Sequence, residues 1–162
     1  MITKNVVIKV ALVLTIASLA ITGSSQSMTS SFKAQGKISK VLPGSWTVVG
    51  ETPAQGQFKA LITFDSDGNI IADEPSAFET AGHGSWALSD ANQAAYTFVA
   101  FIGSATGAFT GSIKVVGTLQ LDAAQVKWSG PFRVDVSDPG GNLVFTDSGT
   151  LTGTRIQVES LN

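Results

Sequence analysis

From Trp46 onward the chain alternates apolar and polar residues with a period of two, and turn-forming residues interrupt the alternation at short intervals. The stretch after Ala124 shows it most cleanly. Val126, Trp128, Phe132, Val134 and Val136 fall on one phase, and Lys127, Ser129, Arg133 and Asp135 fall on the other. Successive side chains of a strand point to opposite faces, so this pattern predicts strands with one buried and one wet face. A chain built of such strands must bring all its apolar faces together around one interior.

Eight such segments follow one another. Ser45 to Glu51 reads as the first strand, ended by Thr52-Pro53-Ala54-Gln55-Gly56, because Pro and Gly break a ladder. Phe58, Ala60, Ile62 and Phe64 share one face of the second, and the Asp-Gly of Ser66-Asp67-Gly68-Asn69 suits a tight hairpin leading to the third, Ile70 to Asp73. Glu74 to Gly82 contains Pro75 and no periodicity, which makes it the longest irregular connection and a candidate lid or portal. Strands are then expected at His83 to Ser89, Ala95 to Ile102, through Ile113 to Leu121, along the Val126 to Val136 face, and at Leu143 to Val158 with bends at Gly149 and Gly153. Strands in simple succession with short loops predict an all-β fold, an eight-stranded antiparallel up-and-down barrel. A β-sandwich is the alternative, since alternation does not report closure.

Composition narrows the function classes. The chain has 162 residues, 43% hydrophobic, enough for a single core. With 14% charged residues and a net charge of −2 there is no basic field to draw nucleic acid. The absence of cysteine removes disulfides, thiolate nucleophiles and Cys-ligated metals, and a lone histidine, His83, removes a His-rich metal centre. No P-loop, dinucleotide fingerprint or Gly-x-Ser-x-Gly elbow is present, and Asp65-Ser66-Asp67-Gly68-Asn69 places its Gly too early for an EF-hand. No metal and no cofactor are therefore expected.

Residues 1–27 have the order of a signal peptide: Lys4 and Lys9, an apolar run from Val10 to Ile21, then small residues with cleavage expected within Gly23 to Ser27. The run is shorter than the roughly 20 residues of a membrane span. The expected organisation is a signal peptide over 1–27, a polar linker and arm over 28–43, and a single barrel domain over 44–162, secreted or periplasmic. Cleavage leaves no membrane span; an uncleaved anchor would tether the same domain in the same solvent.

The two ends of the domain resemble a known pattern. Gly44-Ser45-Trp46 on the first strand with Arg155 on the last is similar to the Gly-x-Trp and terminal Arg of the calycin superfamily, which includes lipocalins, fatty-acid-binding proteins and avidins. The resemblance implies that Trp46 plugs one barrel end and that the Arg155 guanidinium packs over its indole. The chain departs from secreted lipocalins in having no disulfide and no clear C-terminal helix. Gly82-His83-Gly84-Ser85-Trp86 is similar to a stretch of uncharacterised small bacterial β-barrel proteins, and the overall plan to allene-oxide-cyclase-like barrels; neither likeness assigns a function. Gly-Ser-Trp at 44–46 recurs at 84–86, but the flanking residues do not repeat, so shared strand-start chemistry accounts for it better than duplication of a half-barrel.

The expected inward set, and hence the candidate ligand-binding wall, is Phe58, Ile62, Phe64, Trp86, Tyr96, Phe98, Trp128, Phe132 and Phe145. These side chains either line an apolar cavity or fill it as a solid core. His83, Glu79 and Asp147 are weak catalytic candidates: His83 because imidazole titrates near neutrality, Asp147 because it shares the inward phase of Leu143, Phe145 and Leu151. No nucleophile accompanies them at a recognisable spacing, which leaves enzymatic activity open. The leading expectation is an exported barrel binding a small, mostly apolar molecule. A cyclase- or isomerase-type enzyme using the cavity, and a structural or interaction module with a filled core, are the alternatives.

Overall fold

A computed structural model describes residues 38–161, so the expected signal peptide and most of the expected arm lie outside the described residues. The eight strands are β1 (Gly44–Thr52), β2 (Gly56–Phe64), β3 (Asn69–Asp73), β4 (Gly82–Asp90), β5 (Gln93–Gly103), β6 (Phe109–Leu121), β7 (Lys127–Ser137) and β8 (Leu143–Arg155). Each pairs antiparallel with its neighbour in sequence, and β1 pairs with β8, closing the barrel. Closure leaves no open sheet edge and decides against the sandwich.

Two of the long hairpin turns rest on the same local chemistry. In Asp65–Asn69 and in Asp138–Asn142 the first carboxylate accepts the backbone N–H groups of the residues two and four further on, and the Asn side-chain amide as well. Those hydrogen bonds to the ionised form hold both Asp65 and Asp138 below the usual carboxylate range.

Since every pair is antiparallel, the turns after β2, β4 and β6 gather at the end where β1 begins, and those after β1, β3, β5 and β7 at the other. At the first end the interior is full of large rings. Phe64 is the hub, in edge-to-face contact with Trp86, Tyr96 and Trp128 at centroid distances of 5.9, 6.4 and 6.3 Å. Trp46 meets Trp128 at 6.3 Å, and Ile70, Leu119 and Leu121 complete the packing. Gly153 makes room for this layer, because a Cβ there would stand 2.2 Å from the Trp128 indole.

Besides strand ends that shift by a few residues, two differences from the sequence reading bear on the closed end. The end of the arm is not extended: Ile38–Val41 forms a helical turn, and Leu42, beyond it, is fully buried. The Leu42 carbonyl accepts the Trp46 indole N–H at 3.1 Å, so the arm's last residues are part of the barrel's closed end. The last strand stops at Arg155, not Val158, because Arg155 already pairs with Trp46 near the start of β1 and little of that strand remains as a partner. The repeated Gly-Ser-Trp is not a duplication. A half-barrel repeat would map β1 onto β5, which runs in the same direction, whereas Gly84-Ser85-Trp86 lies on β4, which runs opposite to β1.

Candidate functional site

The Arg155 guanidinium lies 4.2 Å from the centroid of the Trp46 ring. Its Nη1 donates to the Pro43 carbonyl at 3.1 Å, its Nε to the Gln125 carbonyl at 3.3 Å, and its Nη2 to the Val41 carbonyl. One planar cation thus ties the N-terminal turn, the β6–β7 turn and the end of β8 over the indole. Gly44 is required beside it: its φ is +133°, and a Cβ would come 2.6 Å from Arg155 Nη1.

The opposite half is hollow. A cavity of about 390 Å³ opens between the turns after β1 and β3 and the facing ends of β7 and β8. Its inner wall is built from the inward phase of the strands, and at this level that phase is small: Ala60, Ala72, Gly82, Ala100, Val115 and Val134. Larger rings border the space without filling it. Phe58 and Phe132 meet edge to face at 6.1 Å, and Phe98 stacks on Tyr96 at 6.3 Å with planes 12° apart. The volume falls in the range of about 300–1,000 Å³ typical of small-molecule sites.

Of the expected wall, Phe58, Ile62, Phe98, Phe132 and Phe145 line the cavity, Phe145 at its rim and 46% exposed. Phe64, Trp86, Tyr96 and Trp128 do not. They point inward, but into the packed half, where their rings meet edge to face around Phe64. The Trp86 indole N–H is satisfied there by the Asp65 carbonyl at 3.0 Å, while the Tyr96 hydroxyl and the Trp128 indole N–H are buried without a hydrogen-bond partner.

The catalytic candidates separate. His83 pairs with Ile71 and Val99 and is exposed on the outer wall; Gly82, one residue away, lines the cavity, so parity alone removes the imidazole from the interior. Glu79 and Asp147 both line the mouth. Asp147 is held below the usual carboxylate range, first by the Thr52 hydroxyl and also by the backbone N–H groups of Ser148 and Ala54. The inward carboxylate is therefore paired by donors, not kept protonated. Glu79 is pushed up by desolvation.

Glu74 went unread in the sequence. It continues the inward phase of Ile70 and Ala72 past the end of β3 and lines the mouth beside Glu79. Glu74 is exposed as a whole residue, yet desolvation at the mouth and then the Glu79 charge push its carboxyl up to about 7. Parity from β3 was the available clue, hidden because the segment after Asp73 has no strand pattern.

No family model matches the chain, and no curated protein matches it. Among solved structures the chain is similar to a redesigned β-barrel, at 17% identity and a TM-score of 0.49, over 76% of this chain and 99% of that one. The class is set by the strand register itself: a closed eight-stranded antiparallel barrel, packed at one end and hollow at the other.

Proposed function

We propose that this chain is an exported, calycin-like barrel that holds a small, mostly apolar molecule in the hollow half of its interior. The observation that carries the reading is the division of one interior into two regimes. Aromatic side chains pack against one another in one half, while in the other half Ala, Gly and Val positions interspersed among bordering Phe, Ile and Leu side chains leave open space. A protein that needed only a core would not require such a gap, since unfilled apolar volume costs stability. The Arg155–Trp46 stack supports the calycin-like part; export rests on residues 1–27.

A cyclase or isomerase reading keeps Glu74 and Glu79 as raised carboxylic acids at the cavity mouth, and His83 on the outer wall does not serve it. Apolar binding accounts for more of the wall. The test is titration with the neutral fluorophore N-phenylnaphthylamine. Saturable binding should stabilise the fold by about 2.7 kcal/mol when free probe exceeds Kd a hundredfold. Absence of both saturation and stabilisation, for this probe and for neutral alcohols of several chain lengths, would sink the reading.

A further inference from the structure

Every titratable side chain that lines the cavity is acidic: Glu74, Glu79 and Asp147. All lie at the mouth, and no Lys, Arg or His lines the cavity with them. Among the described residues, the cations of the strands around the cavity are directed elsewhere. Lys59, Lys114 and Arg133 are exposed on the outward phase of their strands, and Arg133 is engaged with Asp135 at 3.0 Å. The segment carrying Glu79 packs against Phe101, Ile102 and Gly103, which bring no charge. From β1 and its turn come only Thr52, Ala54 and Gln55.

We propose that the ligand is a cationic amphiphile, an amine whose apolar body occupies the cavity and whose charged head rests among Glu74, Glu79 and Asp147 at the mouth. This rests on the cavity-binding reading above and names its ligand class. The cavity has two chemical ends, an apolar depth and an uncompensated acidic opening, and a molecule that suits both must have the complementary two.

The mouth's charge also depends on pH. Asp147 is held ionised by its donors, whereas Glu74 and Glu79 are pushed up by desolvation, Glu74 to about 7. Arrival of a cation favours their ionised forms, so binding an amine releases protons near neutrality. A carboxylate amphiphile meets the opposite field.

The experiment compares decylamine, decanol and decanoate by calorimetric titration of the folded protein. At about pH 8 the amine is expected to bind roughly tenfold or more tighter than the alcohol, and the alcohol tighter than the carboxylate. The amine's advantage should shrink at about pH 5, and in Glu74→Gln and Glu79→Gln, while Glu51→Gln on the outer face of β1 leaves it unchanged. Decanol binding as tightly as decylamine at the higher pH overturns the ligand class but leaves the apolar-cavity reading standing. Failure of all three probes to bind overturns both. The comparison of probes on the unaltered protein holds even where a variant fails to fold.

Discussion

Arg155 and Trp46 are partners twice over: they face each other in the β1–β8 register that closes the barrel, and the guanidinium stacks on the indole at 4.2 Å. The same cation donates to the carbonyls of Val41, Pro43 and Gln125 at the closed end. Hydrogen bonds from a charged donor contribute about 1.5–3 kcal/mol each before losses, and a cation–π contact about 0.5–2. Arg155→Ala is therefore expected to lower unfolding free energy by about 2–4 kcal/mol in urea titrations. Arg155→Lys should recover only a small part, because one ammonium cannot reach three carbonyls and stack. A lysine variant as stable as the original protein would show that the fork geometry contributes nothing.

Gly153 and Trp128 are coupled by shape. Gly153→Ala places a methyl group against the Trp128 ring and should cost about 1–3 kcal/mol through overpacking. In a Trp128→Phe background the same substitution should cost clearly less, and a double-mutant cycle measures the difference. Strict additivity would mean that the ring moves aside without strain.

Filling the hollow half separates binding from folding. Ala100 lies on the cavity wall, and Ala100→Phe projects a ring into space that is already empty. We expect the N-phenylnaphthylamine signal to fall by about tenfold or more, with stability changed by less than about 1.5 kcal/mol. Retained probe affinity would place the probe somewhere other than the cavity.

Stability should depend on pH with two opposite slopes. Glu74 and Glu79 have folded-state pKa values raised above the unfolded value, so the folded state binds their protons more tightly. The Glu74 contribution is fully present below about pH 4.5 and declines as pH rises to about 7, and that of Glu79 runs in the same direction. Asp65, Asp138 and Asp147 are lowered, so their contribution is present above the ordinary Asp range and disappears on acidification. In urea titrations Glu74→Gln should raise the midpoint at about pH 8 and leave it nearly unchanged at about pH 4.5. A midpoint unchanged at the higher pH would mean that Glu74 is fully solvated.

Much of the barrel could be read from single residues. Parity placed Phe58, Ile62, Phe98 and Phe132 inward, and they are inward. The turns at Asp67-Gly68 and Pro139-Gly140-Gly141 lie where local chemistry demands them. The site was less legible. His83 attracted notice as a lone imidazole between glycines, but one position of parity put it on the outer wall. Glu74 attracted none, although it continues the phase of Ile70 and Ala72.

The sequence by itself determined the strands, their order and the face each side chain takes, because period-two alternation and turn chemistry act between residues close in the chain. Only the tertiary structure decided which inward residues share a level of the barrel. Phe64, Trp86 and Trp128 are distant in sequence and lie on three strands, yet they crowd into one half. Ala60, Ala72 and Ala100 are equally dispersed and open the other. Whether inward side chains fill or leave space depends on the sum of volumes at one height, set by the register between strands. That is a long-range quantity, and with it came the cavity and its acidic mouth.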